Sequence, residues 1–219
     1  MTEVGERRRQ RLRSSSLYLC IGCGGEEIAA AALRGGTDMV QLRDKEAGDD
    51  RLLASAARLR ELCDRSGALL WVNDRPDLAL AASADGVHVG QDDLPVPEAR
   101  AAVGPDLLVG VSTHAPDQLE AALASDADQI SIGPVWATPT KEGRPAAGLE
   151  YVRHAAALAG DRPWFAIGGI DSGNLAEVVA AGARRVVVVR AVRDAADPEA
   201  AARALRAQLQ AAGPVSERR

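Results

Sequence analysis

The sequence predicts an α/β protein built as a single parallel eight-stranded β/α barrel, and three observations carry that expectation. Short β-branched or apolar runs recur roughly every 20 to 25 residues, separated by Ala- and Leu-rich stretches with helical spacing, which is the alternation of βαβ units. Polar residues stand at the end of strand after strand, as they do where a site is assembled from all the upper loops of a barrel. No Gly-x-Gly-x-x-Gly follows the first strand, where an open, doubly wound sheet that binds a nucleotide would carry it. The 219 residues, 47% of them hydrophobic, suffice for one core of this size, whereas two domains would be cramped.

The strands are expected at Leu17 to Cys20, Met39 to Arg43, Leu69 to Asn73, Gly86 to Val89, Leu107 to Val111, Gln129 to Gly133, Trp164 to Ile167 and Arg185 to Val189. Helical stretches lie between them at Glu26 to Arg34, Asp50 to Arg65, Pro116 to Ala124, Gly148 to Leu158, Asn174 to Ala181 and Pro198 to Gln210, with a brief helix near Pro76 to Ser83. Gly35, Gly36, Gly67, Gly104 and Gly182 stand where a left-handed cap would end a helix. Aromatic residues make up only 3% of the chain, so the core is expected from close helix-on-sheet packing rather than from large rings. This TIM-barrel unit is read over residues 17–212, with a basic extension at 1–16 and a tail at 213–219.

The formal charge of −5, with no basic face through the body of the chain, argues against a nucleic-acid partner. Arg7, Arg8, Arg9, Arg11 and Arg13 precede Ser14 to Ser16, but no apolar stretch of about 7 to 15 residues follows, so this is not a secretion signal. It reads as a solvated extension or a capping helix under the barrel, ahead of a targeting or membrane role. Nor does any apolar run approach the ~20 residues that span a bilayer. Cys20, Cys23 and Cys63 have no disulfide-framework spacing, which suits a reducing cytoplasm. The Cys20-x-x-Cys23 pair lacks the second ligand pair of a zinc site and the context of a redox pair, and reads as strand-end packing. The surface pattern leaves room for a homodimer or a monomer.

Candidate chemistry gathers at the strand ends. The second strand ends in Gln41-Leu42-Arg43-Asp44-Lys45, and alternation turns Gln41, Arg43 and Lys45 to one side. The alternative is a solvated loop with the two cations paired to Asp44. The third strand stops at Asn73-Asp74 and the fourth leads into Gln91-Asp92-Asp93. Two neighbouring strands that deliver Asp74 and Asp93 to one rim supply the carboxylates that magnesium takes, with water and substrate phosphate completing its shell. Ser112, Thr113 and His114 end the fifth strand. After the sixth, Thr138-Pro139-Thr140-Lys141 offers two hydroxyls, backbone amides and one point charge to a phosphate. Gly168-Gly169 after the seventh strand and the amides after the eighth form the usual phosphate cup of a barrel. His88 reads as a barrel-interior or packing residue, His154 as a surface residue and His114 as a rim residue with a direct role in reach. No Ser, His and acid set and no poised carboxylate pair indicates hydrolytic or acid–base chemistry.

In order, QLRDK, VNDRPDLALAASADGVHVGQDDLP, VGVSTHAPDQLEAA, GPVWATPTKEGRPAAGLE and AIGGI followed by VVVVRAV closely resemble the thiamine-phosphate synthase family, over about nine-tenths of the chain. The resemblance implies a magnesium-dependent transferase that joins hydroxymethylpyrimidine diphosphate to a thiazole phosphate, releasing pyrophosphate and forming thiamine monophosphate. It implies that Gln41, Arg43, Lys45, Asn73, Ser112 and Lys141 bind the pyrimidine diphosphate, with Arg43, Lys45 and Lys141 catalytic, and that Asp74 and Asp93 hold Mg2+. It likewise implies Thr138, Thr140, Gly169, Val189 and Arg190 at the thiazole phosphate, and a dissociative step in which pyrophosphate leaves before the thiazole nitrogen attacks. The chain departs from the family twice. Cys20-Ile21-Gly22-Cys23 stands where the family often reads Thr-Asp, so no residue is carried over there, and Arg190 stands where serine is commoner. The Arg190 side chain either reaches the phosphate or pairs with a carboxylate such as Asp194.

Two other classes of protein resemble parts of this pattern. The related thiazole tautomerases share the barrel, Asn73-Asp74 and Ile167-Gly168-Gly169, and use a histidine near His114, but generally lack both Gln-Asp-Asp and Thr-Pro-Thr-Lys. A non-catalytic binding protein for phosphorylated small molecules would need only the phosphate cup.

Overall fold

The computed structural model describes residues 2–138 and 145–213. After α1 (Glu3–Ser14) the chain alternates β1 (Leu17–Ile21), α2 (Glu26–Arg34), β2 (Met39–Leu42), α3 (Asp49–Ser66), β3 (Leu69–Asn73), α4 (Pro76–Ala81), β4 (Gly86–Val89), α5 (Val96–Val103), β5 (Leu108–Thr113), α6 (Pro116–Leu123) and β6 (Gln129–Ile132). It continues through α7 (Gly148–Leu158), β7 (Trp164–Ile167), α8 (Leu175–Ala180), β8 (Val186–Val188), α9 (Arg190–Arg193) and α10 (Pro198–Ala211). All eight strands pair in parallel with their sequence neighbours, and Leu17↔Val186 to Leu19↔Val188 close the sheet into a barrel.

The expected strands form, with shifted ends. β5 continues to Thr113, whereas β8 stops at Val188 because the chain turns into α9 at Arg190. Helix α5 was not expected, since Pro95 and Pro97 bracket its start; proline is tolerated in a first turn, where no amide is needed. Gly36, Gly67, Gly104 and Gly182 have the positive φ expected of helix ends. Gly35 does not (φ −75°); a Cβ there would lie 2.4 Å from the Glu199 carbonyl oxygen, so this glycine lets α10 approach.

Two cores result. Between sheet and helices the packing is aliphatic, built on residues such as Leu19, Val40, Leu59, Val87, Ile130 and Val152. Inside the barrel the expectation about aromatics fails, because the few rings present are concentrated there. Tyr18, Trp71 and Phe165 are fully buried, with Tyr18 at 6.0 Å from Trp71 and edge-on to Phe165 at 5.7 Å. Below them Met39, Leu69, Leu108 and, from α1, Leu12 complete the plug. An eight-stranded barrel has an interior that side chains must fill, and rings do so with few residues.

Helix α1 caps the barrel base, with Arg8 and Arg9 turned onto strand-start carboxylates. Asp38, Asp85 and Asp128 each stand one residue before an even-numbered strand, and each accepts a backbone N–H from the preceding odd strand: Leu17 at 3.0 Å, Leu70 at 2.9 Å and Val109 at 2.9 Å. Each is neutralised by arginines from the helices. Arg206 meets Asp38, Arg8 and Arg60 meet Asp85 at 3.0 and 2.8 Å, and Arg9 and Arg100 meet Asp128. Before β8 the same place holds Arg185, which donates instead to the Ser15 and Arg13 carbonyls. Burial pulls the Arg185 guanidinium down to about 10.

Removing a buried partner strands the opposite charge, whereas an exposed pair contributes little. Asp85→Ala is therefore expected to cost about 3–5 kcal/mol in urea unfolding. Arg7→Ala, which breaks the exposed pair with Glu3, should cost under about 1 kcal/mol. Equal losses in the two variants would contradict this account of the base.

Candidate functional site

At the C-terminal ends of the strands lies a cavity of ≈ 360 Å³. Gln41, Arg43, Asn73, Ser112, Thr138, Gly169, Val189 and Arg190 all line it, so the structure gathers eight of the expected residues around one cavity. Thr140 and Lys141 lie outside the described residues.

Alternation along β2 places Gln41 and Arg43 as expected. Gln41 is buried, its amide donating to the Tyr18 hydroxyl at 2.6 Å while its oxygen faces the Cys20 thiol at 3.6 Å. Arg43 has no carboxylate partner among the described residues, which leaves a cation facing the cavity. Asp44 is not its counter-ion. Asp44 accepts instead from the amides of Cys23, Glu46 and Ala47 and shapes the loop.

Lys45, Asp74 and Asp93 form a second cluster, joined to the cavity wall through Asn73. Lys45 Nζ lies 3.3 Å from Asp74 Oδ2, and the Asp74 and Asp93 carboxyl groups are within hydrogen-bonding reach of each other. Asp74 has a left-handed backbone (φ 60°), which aspartate tolerates better than most side chains, and its amide donates to the His88 carbonyl at 2.8 Å. Asp93 is held by the Gly90 amide at 2.8 Å. Partial burial, followed by the neighbouring Asp93, pushes the Asp74 carboxyl above its ordinary range, and Lys45 only partly offsets this. Two crowded carboxyl groups with one lysine are a donor set that a divalent cation would relieve.

On the opposite wall, β7 ends in Gly168 and Gly169 (φ 110° and 68°). A Cβ at Gly168 would lie 2.6 Å from Pro134 Cα, so glycine is required both by conformation and by the close pass of the loop after β6, where Trp136 donates its amide to the Gly168 carbonyl at 3.1 Å. Arg190 is exposed at the first turn of α9 and lines the cavity mouth. It does not pair with Asp194, which is taken by Arg193 at 2.6 and 3.0 Å.

Of the three histidines, His88 lies in the barrel interior as expected, and His154 is less exposed than expected. His88 lines the cavity, with Nδ1 3.0 Å from Gln129 Oε1 and Nε2 2.9 Å from Ser112 Oγ. His114 is not on the cavity wall, and its Nδ1 is bonded to the Gly133 carbonyl. His154 is half-buried rather than superficial, with its Nε2 enclosed. Cys20 and Cys23 diverge, Cys20 facing the interior and Cys23 the Arg51 carbonyl, and both are free thiols. Tyr18, Cys20 and Ser131 also line the cavity, although the sequence reading gave them no role there. Their signal was the inward alternation of strands 1 and 6, which is visible only once the facing side of each strand is known.

Fold and site together define a β/α barrel with a cavity faced by Arg43 and paired glycines, and a carboxylate pair at its C-terminal mouth. The chain belongs to the thiamine monophosphate synthase family, whose sequence model matches residues 18–192. It is 52% identical over 221 residues to the thiamine-phosphate synthase of Mycolicibacterium vanbaalenii, covering 94% of this chain and 100% of that one. The thiamine-phosphate synthase of Saccharopolyspora erythraea is 56% identical over 213 residues, with 92% and 96% covered. Among solved structures, a thiamine phosphate pyrophosphorylase from Pyrococcus furiosus superposes with a TM-score of 0.85 at 31% identity, covering 93% of this chain and 99% of that one.

The crowding of Asp74 and Asp93 has a measurable consequence. In buffer free of divalent cations Asp93→Asn is expected to raise the thermal midpoint by about 1–4 °C, since one of two like charges is removed while the amide oxygen can still accept from Gly90. A lowered midpoint would mean that the pair is not repulsive.

Proposed function

We propose that this chain is a transferase that condenses hydroxymethylpyrimidine diphosphate with a thiazole phosphate, giving thiamine monophosphate and pyrophosphate. The observation that carries the reading is the Arg43 guanidinium, without a carboxylate partner among the described residues, beside the Lys45, Asp74 and Asp93 cluster. That is an arrangement for a polyanion that gains charge as it leaves. Arg43, Lys45 and Lys141 stabilise the departing pyrophosphate more than the bound diphosphate, and such differential binding lowers the barrier. Gln41, Asn73 and Ser112 hold the pyrimidine diphosphate. Thr138, Thr140, Gly169, Val189 and Arg190 hold the thiazole phosphate, with the glycine backbone allowing close approach of the amides.

The Asp74 and Asp93 donor set suits Mg2+, which takes one or two carboxylates and completes its shell with water and substrate oxygens. Bound there, it would neutralise charge on the diphosphate. Loss of pyrophosphate comes first, followed by capture of the pyrimidine methylene by the thiazole nitrogen. A neutral ring nitrogen needs no base to remove a proton, consistent with a His88 whose two nitrogens are both engaged. The tautomerase reading is disfavoured by His114, which is bonded to the Gly133 carbonyl and is not among the described residues that line the cavity. We also read residues 17–212 as the catalytic unit, 1–16 as the extension that closes its base and 213–219 as a tail. Cytoplasmic residence fits the three free thiols. No helix among the described residues is long and apolar enough to cross a membrane.

Pyrophosphate release on mixing the two substrates with magnesium tests the reading. Release that requires both substrates is expected, and Asp93→Ala should lower it by orders of magnitude; isomerisation of a thiazole without magnesium would point to the tautomerase. Lys141→Ala is expected to slow the single-turnover chemical step more than it weakens thiazole phosphate binding, with only partial rescue by Lys141→Arg. Arg190→Ser should raise the thiazole phosphate KM about ten- to a hundredfold and leave kcat within a few-fold, the pattern of lost uniform binding.

A further inference from the structure

His88 on β4, Gly110 on β5 and Gln129 on β6 stand in one row of the barrel, paired His88↔Gly110 and Gly110↔Gln129. A Cβ at Gly110 would lie 2.5 Å from Gln129 Oε1 and 2.6 Å from His88 Nδ1, so only glycine lets these two side chains meet across it. They do so at 3.0 Å. Gln129 donates from Nε2 to Ser131 Oγ at 3.0 Å, and His88 Nε2 lies 2.9 Å from Ser112 Oγ. All four side chains are buried, so the direction of each hydrogen bond matters.

The proton order follows from the glutamine. With Nε2 given to Ser131, the end of the amide that faces His88 is the carbonyl oxygen, which can only accept. Nδ1 of His88 therefore carries a proton, and when the ring is neutral its Nε2 is a lone pair. The Ser112 hydroxyl donates to that lone pair. Its oxygen then offers only acceptor capacity to the cavity, while Ser131, which accepts from Gln129, keeps its own proton to donate. Ser112 and Ser131 are in register on β5 and β6, and both line the cavity.

We propose that His88 and Gln129 are positioning residues that fix the direction of the Ser112 hydroxyl. The acceptor and donor so presented by Ser112 and Ser131 select the edge of an aminated heteroaromatic ring, where an N–H stands beside a ring-nitrogen lone pair. The proposal rests on the functional reading above in taking that ring to be the pyrimidine of the diphosphate substrate. It directs Ser112 to the ring and leaves the diphosphate to the cations, because a phosphate oxygen opposite a hydroxyl whose proton is committed would set lone pair against lone pair.

The nitrogen-15 spectrum of the wild-type histidines tests the order without any variant. His88 is expected as a neutral ring protonated on Nδ1; a proton on Nε2, or on both nitrogens at neutral pH, overturns the proposal. Calorimetric titration tests the selectivity, using the aminopyrimidine diphosphate, its analogue with an oxo group in place of the amino group, and inorganic pyrophosphate with magnesium. The wild type should prefer the amino compound by about ten- to a hundredfold. Gln129→Met should reduce that preference about tenfold and leave pyrophosphate affinity unchanged, a split that a general loss of structure would not produce. Equal binding of the two pyrimidines by the wild type, or an undiminished preference in Gln129→Met, counts against it. The functional reading fails on different grounds, namely if no pyrophosphate is released from the two substrates, whichever proton order and preference are found.

Discussion

Once β8 bonds back to β1, the eight strands have no edge left, and every inward side chain is withdrawn from water unless it reaches an end of the barrel. The contents of the interior follow from that closure. Its lower layers must be apolar or paired, and they are: Leu12 of α1 fills the floor, and the arginines of the same helix meet carboxylates that already hold strand amides. The middle is taken by Tyr18, Trp71 and Phe165. Only above the rings does the interior turn polar, and there each group is tied to another, from Gln41 with Tyr18 to His88 with Gln129 and Ser112. The upper mouth is thus left as the end where unpaired charge can face a ligand.

The electrostatics of that mouth are deliberately incomplete. Arg43 faces the cavity without a carboxylate partner among the described residues, while Asp74 is crowded against Asp93 and carries a left-handed backbone to stay there. Such strain persists only where surrounding structure over-determines it, here through the His88 carbonyl and the Lys45 ammonium. A bound polyanion and a divalent cation would relieve both imbalances at once. The proposed division of labour between a charge-bearing rim and a hydrogen-bonded polar wall would let one small cavity distinguish the two halves of a substrate. On that proposal the rim takes phosphate and the wall takes a ring.

The barrel was legible in the sequence because parallel strands buried on both faces form short, nearly continuous apolar runs, and because the residues that end them are polar. Gln41 and Arg43 could be placed by alternation from the end of β2, whereas Asn73 and Ser112 were assigned to the site only by the family resemblance. What escaped reading depended on contacts between distant segments. His88 sits in an apolar strand, and nothing local says that Gly110 on the next strand makes room for its bond to Gln129 on the one after. Tyr18 and Ser131 belong to the inner row only because of where their strands fall in the closed ring. The arginine run of α1 could be read as a solvated extension or a capping helix, but the pairing of Arg8 with Asp85 was not legible, because an ion pair across some 77 residues of chain leaves no periodic trace. Helix α5 was hidden by its prolines.

The central claim is that the chain works by stabilising a departing anion and not by moving a proton. Positional isotope exchange tests this most directly, with oxygen-18 placed in the bridge between the pyrimidine methylene and the diphosphate, in the presence of the chain, magnesium and a thiazole phosphate analogue that cannot attack. Dissociation predicts that the label scrambles into the non-bridging positions of recovered substrate, and that Lys141→Ala slows the scrambling as much as it slows turnover. Label that stays in the bridge while the true thiazole phosphate still reacts would mean that attack and departure are concerted, and the account of the cation-rich mouth as the source of the rate would be wrong.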